Sequence, residues 1–478
     1  MERKTISRRV NSSPLSFSSS AAETVADIEE LLTEILLCVP ARSVVRLKCI
    51  SKHWFSLISN PEFRHRHTLR NPNPKVSAFF SHTTQDFTFI SLHKNPSGSF
   101  PPRHFVHDLH PGNHPRSINP FKSLNIFNSF VQGDRNGFGL KILQSCNGLF
   151  LCIPFSTHKR RHYHSIYFGN PTSQYHSIYV VNPTSNQFLA LSPPRAGKST
   201  EFVRYALAFD PSKSPHYKVV CLSTTRKHNW VHQVDVYSSE TRSWRLLETP
   251  YASRDLDMHL DGRNREGGVY CNGAIHWIRD ETELSIRVGE DGNSLVRENA
   301  DLVHYYDIAE ERLGLAIPSA PLVVTGNYPP KFPKFDHRYF GESGDHLYLI
   351  DVYKDSSSKN NIYRDCNAEF DVMEMGKDYS GWFVKYHVDL NPVVAAFRGN
   401  YDHFSRFYVL FLGGEGKEEQ DQQQQQEVSS SLLFHVPGKV ISYHLRHKTF
   451  KTYVDLAIKD YFLVGGYNYP YMETLASV

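Results

Sequence analysis

Apolar positions in the first seventy residues follow a helical period. In the stretch from Ile28 to Val39 they fall at Ile28, Leu31, Leu32, Ile35, Leu36 and Val39, offsets of 3, 4, 7, 8 and 11 that share one helical face. Glu29 and Glu30 stand in the opening turn, where the helix dipole favours negative charge. Pro40 ends this helix, because the residue before a proline is pushed out of the α region. A second helical segment runs from Ala41 to Cys49, with Val44, Val45, Leu47 and Cys49 apolar. Ser51 is placed to cap a third helix that carries Trp54, Phe55, Leu57 and Ile58. Asn60-Pro61 stops it, and Phe63 starts a short final turn toward His67. So small a unit is marginal alone and must finish burying its apolar faces against a partner or the next domain.

From about Lys75 the helical period gives way to strand-like runs of roughly five to eight residues, bounded by Gly, Asn, Pro, Ser or Asp. Examples are the runs that open at Lys141, Tyr179, Tyr217, Val234, Gly268, His304, His346, Trp382, Phe407 and Val440. No long helical pattern interrupts them, which argues against a parallel βαβ sheet. Two phrases recur. Cys-Asn-Gly followed by apolar residues occurs at Cys146–Gly148 and again at Cys271–Gly273. A strand, a polar turn and a returning strand recur as YVVNPTSNQFLALSPP, VYSSETRSWRLLETP and YYDIAEERLGLAIPSAP. Recurring hairpins predict a repeated four-stranded unit, as in a β-propeller, with a pair of β-sandwiches as the alternative. A ring of blades closes the sheet edges that would otherwise aggregate. The fold expected is therefore a small all-α head followed by a large all-β domain. Its spans are a disordered leader at 1–22, the head at 23–69 and the β domain at 75–462, with a disordered glutamine-rich loop at 413–431. One local duplication, Tyr163–Gln174 against Tyr175–Asn186, matches at nine of twelve positions. The second copy continues into a strand and is read as structural, the first as an inserted loop. Residues 106–139, rich in His, Asn, Pro and Gly, are also read as a loop.

Composition supports this division. Aromatic residues make up 13% of the chain, more than leucine-rich helices need and suited to half-buried pleated surfaces. The net charge of +4, from 53 basic and 49 acidic residues, is too balanced for a nucleic-acid-binding stripe or a membrane surface. No stretch approaches the roughly 20 apolar residues that span a bilayer. The seven cysteines are odd in number and mostly sit in apolar runs, so they read as free buried thiols in a reducing compartment, cytoplasm or nucleus. The Arg- and Ser-rich start resembles a transit peptide only weakly and is read as a disordered leader.

The segment from Glu30 to His67 closely resembles the F-box motif of plant F-box proteins. It has the leucine-rich helix Leu31–Leu37, then Pro40, then the second helix Val44–Lys48. Cys49-Ile50-Ser51-Lys52-His53-Trp54 and Leu57-Ile58-Ser59-Asn60-Pro61-Glu62-Phe63 follow in the family's order. The match covers about forty-five residues. It departs from the family at its start, where Val25-Ala26-Asp27-Ile28 stands in place of the usual Leu-Pro. More loosely, SCNGLFLC, VVNPTSNQF and GVYCNGAIHWI resemble the kelch-like, F-box-associated β domains of the same family. The resemblance implies a substrate-recognition subunit of a Skp-cullin-F-box ubiquitin ligase. The F-box would dock on a Skp-family adaptor, linking through it to cullin and RING subunits, and the β domain would bind a target protein. It also implies that Ile28, Leu32, Ile35, Leu36, Pro40, Leu47, Lys52, Trp54 and Leu57 carry the adaptor interface. In general, helix-in-groove docking suits an apolar face too large for its own core, and Trp54 is the best anchor among these.

No GxSxG, HExxH, P-loop or strand-linked GxGxxG pattern is present, so no catalytic residue, metal ligand or cofactor is proposed and the chain is read as non-catalytic. His65-Arg66-His67 and His162-Tyr163-His164 have ligand-like spacing without a Cys or carboxylate cluster and read as surface or loop. Two other functions are weighed: an F-box scaffold acting outside the ligase, and a propeller that binds a small ligand or glycan. A target would meet the loops on one face of the β domain, with Trp230, Tyr328, Tyr467, Tyr469 and Tyr471 as candidates.

Overall fold

A computed structural model of the chain describes residues 28–71, 76–82, 87–92, 138–156, 178–192, 194, 200–225, 231–247, 267–278, 286–288, 295–297, 302–316, 322–324, 334–354, 368–397, 407–414, 430–436, 438–455 and 468–478. The head contains helices α1 (Glu29–Leu37), α2 (Ala41–Leu47), α3 (Lys52–Ser59) and α4 (Pro61–Arg70). Pro40 both stops α1 and starts α2: its φ and ψ of −54° and 141° leave the helix, and its carbonyl accepts the Val44 N–H at 3.0 Å. The Ser51 hydroxyl caps α3 by accepting the Trp54 N–H at 3.2 Å, as the sequence predicts. The short final turn expected after Asn60-Pro61 is instead the ten-residue helix α4. Asn60 caps it by accepting the Glu62 N–H at 2.8 Å, and Pro61 sits at its first position, where no amide partner is lost. The same dipeptide that ends one helix therefore nucleates the next.

The β domain is a six-bladed propeller, and the two-sandwich alternative is set aside. Its blades, from the axis outward, begin with β26 (Asn468–Met472), β1 (Val76–His82) and β2 (Phe87–Ser91). The second blade is β3 (Phe138–Cys146), β4 (Leu149–Ser156), β5 (Ile178–Asn182) and β6 (Gln187–Leu191). The third is β7 (Thr200–Ala208), β8 (Lys218–Thr225), β9 (Val231–Ser238) and β10 (Ser243–Leu246). The fourth is β11 (Val269–Cys271), β12 (Ala274–Ile278), β15 (Val303–Asp307) and β16 (Arg312–Ala316). A small separate sheet of β13 (Ile286–Val288), β14 (Leu295–Arg297) and β17 (Leu322–Val324) is threaded through the fourth blade's connections. The fifth blade is β18 (Lys334–Ser343), β19 (His346–Lys354), β20 (Glu369–Met375) and β21 (Trp382–Asp389), followed by the short helix α5 (Asn391–Phe397). The sixth is β22 (Tyr408–Gly414), β23 (Ser430–Val436), β24 (Lys439–His444) and β25 (Thr449–Asp455). The inner strands touch in the cycle β26, β3, β7, β11, β18, β22 and back to β26, which closes the ring.

Each pair of neighbouring blades shares one apolar cluster. Phe80, Phe150 and Tyr471 join the first and second blades, and Leu151, Val180 and Val219 join the second and third. Val220, Trp277 and Tyr306 join the third and fourth, and Cys271, Leu347 and Met375 the fourth and fifth. Ile350, Phe407 and Phe434 join the fifth and sixth, and Phe79 and Leu410 complete the circuit. A central strand therefore buries both faces: Ile178 and Val180 of β5 point to one neighbour, Tyr179 and Val181 to the other. This is why the sequence reads there as continuous apolar runs without alternation.

The two recurring phrases are two kinds of turn. In Cys-Asn-Gly, the Asn and Gly form the two-residue turn between a blade's first two strands, both with positive φ (46° and 85° at Asn147 and Gly148, 49° and 86° at Asn272 and Gly273). Such turns match the twist of the flanking strands and suit Asn-Gly for that reason. The Asn side chains then reach the following blade, donating to the Phe209 carbonyl at 2.8 Å and the Asp345 carbonyl at 2.7 Å. The second phrase is the outer hairpin, whose turn ends in a left-handed residue: Asn186, Arg242 and Glu311 in the three copies. Asn182 and Asp307 begin two of these turns by accepting backbone N–H groups two and three residues on.

Several boundaries move. The β domain runs past residue 462, because β26 is its last strand. Gly413, Gly414, Ser430 and Ser431 belong to β22 and β23 and not to the glutamine-rich loop. That loop's remainder, the leader, the first copy of the duplication, His162–His164 and most of 106–139 lie outside the described residues.

Candidate partner-docking surface

The head's α1 has two apolar stripes. Leu32, Leu36 and Leu37 turn inward onto Ala41, Val44, Leu57, Ile58 and Phe63 to form the head's core. Ile28, Leu31 and Ile35, at offsets 3 and 7, stay on the outside, with Ile35 51% exposed. Ile50 and Phe55 are also exposed, so most of the large exposed apolar side chains among the described residues belong to this small head. A monomeric surface seldom concentrates apolar side chains this way without a partner.

The scaffold behind α1 is polar and specific. Glu34 receives the guanidinium groups of Arg66 and Arg70, each at 2.7 Å, tying α1 to α4. The Arg70 hydrogen bond holds the Glu34 carboxyl below its usual pKa. His67, buried, donates from Nε2 to the Val39 carbonyl at 2.8 Å. Burial lowers its pKa, which keeps the ring neutral. The Asn71 amide donates to the carbonyls of Leu37 (3.2 Å) and His67 (2.8 Å), closing the ends of α1 and α4 together. The His65-Arg66-His67 stretch is thus part of a helix packed on α1, not a loop.

The sequence-derived interface residues divide into three groups. Ile28, Ile35, Pro40 and Lys52 are exposed and available to a partner. Leu47 and Trp54 are half-buried against the head's core. Leu32, Leu36 and Leu57 are buried within it, so their expected place at the interface is corrected: they shape the head from inside. Leu31, Ile50 and Phe55, which the sequence reading did not single out for this surface, are exposed too, and the Ile28–Leu31–Ile35 spacing marks a second stripe of its own. Of the proposed target-binding rings, Trp230, Tyr328 and Tyr467 lie outside the described residues. Tyr469 and Tyr471 are not loop residues. They are buried on β26, and the Tyr471 hydroxyl lies 3.0 Å from Thr184 Oγ1. The intervening Pro470 helped disguise the strand, but β26 is the end strand of its sheet, the place in a sheet where proline is tolerated.

Elsewhere the polar groups are structural. Cys146, Cys152, Cys221 and Cys271 are buried free thiols, and burial pushes Cys146 and Cys271 up to about 12. Cys38 and Cys49 are exposed, contrary to the expectation that the thiols are buried, and Cys366 lies outside the described residues. Among the described residues no cluster of His, Cys, Asp or Glu could hold a metal ion, and no helix is long and apolar enough to cross a membrane.

Comparison with known proteins assigns both parts. Residues 29–66 match the F-box domain family, and residues 116–322 match the F-box associated beta propeller domain family. The Arabidopsis thaliana F-box protein At5g07610 is 28% identical over 485 residues, covering 97% of this chain and 95% of that protein. The F-box/kelch-repeat protein At3g23880 of the same plant is 26% identical over 54% of this chain and 59% of its own length. The chain is therefore an F-box protein whose helical head precedes an F-box associated β-propeller.

Proposed function

We propose that this chain is the substrate receptor of a Skp-cullin-F-box ubiquitin ligase and carries no catalytic step itself. F-box domains generally bind Skp1-type adaptors. The observation that carries the reading is the outward stripe of Ile28, Leu31 and Ile35 on a helix whose opposite face is already satisfied. A helix with one buried face and one exposed apolar face can be completed by partner helices. Pro40, Lys52 and the exposed edge of Trp54 extend that surface in this proposal. The propeller then holds the target on loops of one face, and cullin and RING subunits arrive through the adaptor. Free buried thiols fit work in a reducing compartment, cytoplasm or nucleus.

The test is a pull-down of the full chain against a Skp-family adaptor, with Ile35→Asp as the variant. Ile35 lies outside the head's core, so the variant keeps its fold while the docking stripe gains a charge. Capture of the wild type and at least about tenfold weaker capture of the variant supports the reading. No capture of the folded wild type overturns it in favour of a scaffold acting outside the ligase.

A further inference from the structure

The propeller and the F-box are finished by the same stretch of chain. Residues 468–472 form β26, the innermost strand of the first blade, and they close the ring by pairing with β1 near the chain's beginning. The chain does not stop there. Thr474 N–H donates to Thr184 Oγ1 at 3.3 Å, and the Asn182 amide donates to the carbonyls of Thr474 (3.1 Å) and Ala476 (2.7 Å). Ala476 joins the apolar cluster between the second and third blades, and Val478 packs against it. Between Thr474 and Ala476, Leu475 turns the other way. It is 1% exposed and belongs to the head's core with Leu32, Leu36, Ile58 and Phe63.

Arg64 of α4 fixes this crossing. Its guanidinium is buried and donates from Nε to the Leu475 carbonyl at 2.8 Å. Its second nitrogen donates to the Ala476 carbonyl at 2.9 Å and to Gln187 Oε1, at the start of β6, at 2.7 Å. One planar side chain of the F-box thus reads two consecutive carbonyls of the tail and one group of the second blade. In sequence, α4 ends at Arg70 and β1 of the same first blade begins at Val76.

We infer that residues 468–478 couple ring closure to completion of the F-box, so that the head is fully formed only on a closed propeller. Without β26 in place, Leu475 is absent from the head's core and Arg64 loses both tail carbonyls, keeping only Gln187 Oε1 as an acceptor, a costly state for a buried guanidinium. In a receptor, this means that a chain with an unclosed target-binding ring presents a defective adaptor-docking surface; that consequence alone rests on the function proposed above.

Hydrogen exchange of the full chain tests the coupling without an adaptor. Leu475→Asp is expected to speed exchange of the α1 and α4 amides at least about tenfold, and Arg64→Lys, which keeps the charge but loses the planar fork, in the same direction by less. Amides of the fourth and fifth blades keep their wild-type rates in both. Phe80→Ala separates coupling from mere packing. Phe80 lies in the first blade, touches Tyr471 of β26 with ring centroids 5.9 Å apart, and belongs to the cluster between the first and second blades and not to the head's core cluster. It is expected to speed exchange in α1 and α4 as well as in β1, because coupling is reciprocal. Head amides that hold their wild-type rates in Phe80→Ala while β1 loosens would overturn the inference, as would an unchanged head in Leu475→Asp. Adaptor capture by the same variants then reports separately: a wild type that captures none refutes the receptor reading and leaves the exchange result to decide the coupling.

Discussion

The head and the propeller solve the same burial problem in opposite ways. Each blade of the propeller gives an apolar face to each of two neighbours, and the ring returns on itself, so its large side chains end inside: Phe79, Phe80, Phe150, Tyr306 and Phe434 are almost fully buried. The head has too few residues to do this. Its core holds Leu32, Leu36, Val44, Ile58 and Phe63, and it borrows Leu475 from the far end of the chain. It still leaves Ile28, Leu31 and Ile35 outside. Closure makes a region self-sufficient, whereas smallness leaves a region that depends on other segments, and such a region is suited to making contacts.

Substitutions can sharpen or break that contrast. The largest effect is expected in the closed ring. Phe80→Ala removes a ring that meets Phe89, Phe150 and Tyr471 within about 6 Å and should cost about 4 kcal/mol in chemical denaturation. A loss under about 1 kcal/mol would show that the first blade is loosely packed and that closure is not what holds the ring.

The next effect is a pH dependence that arises in the propeller, at His276. His276 is buried between the fourth blade and the β20–β21 turn, with Nδ1 donating to the Val269 carbonyl (3.2 Å) and Nε2 accepting from the Tyr379 hydroxyl (2.7 Å). That arrangement needs the neutral ring, and burial lowers its pKa to about 4. The unfolded chain therefore takes up the proton first. Stability from this group is complete above pH 6.5 and is lost as pH falls toward 4, by roughly 3 kcal/mol. Asp235, pushed up to about 6 by burial, works in the opposite sense, so the readout is a difference between proteins. His276→Asn should flatten the denaturation midpoint against pH between 6.5 and 4 relative to the wild type. Parallel curves would refute the assignment.

Within the head, neighbouring positions should behave in opposite ways. Leu36→Ala should cost about 2 kcal/mol, the low end for a core leucine because so small a core relaxes easily. Ile35→Ala should be nearly neutral, since that side chain is already half in water. Equal losses at the two positions would mean that α1 has only one functional face. The smallest effect is expected at Glu34→Ala, where both partners are exposed and salt screens the pairs. Its thermal midpoint should match the wild type, and a clear drop would show that the α1–α4 bridge contributes more than surface pairs do.

Much of this contrast was legible in the chain. The helical period of Ile28–Val39, the Ser51 cap, the division between head and body, and the repeated hairpins all depend on neighbours within a few residues, and each appears where the pattern put it. The recurrence of Cys-Asn-Gly was visible too, but only the structure makes it a two-residue turn, a role that suits Asn-Gly because few other pairs adopt two successive positive φ values. Periodicity did not reveal which apolar residues of α1 face outward, because both stripes lie within one broad arc and only α4 and the core decide between them. The last strand was also hidden. Tyr469-Pro470-Tyr471 looks like a turn when read alone and becomes a strand only when β1, nearly four hundred residues away in sequence, offers it a ladder.

The sequence by itself determined the local elements and the identity of the two regions, because helix periods, caps and two-residue turns are properties of short stretches. Only the tertiary structure decided that six blades close, that Leu475 belongs to the head and that Arg64 bridges head, tail and second blade. Those contacts join residues from opposite ends of the chain, and nothing in a local pattern records which distant group will supply the missing side of a core or the acceptor for a buried charge.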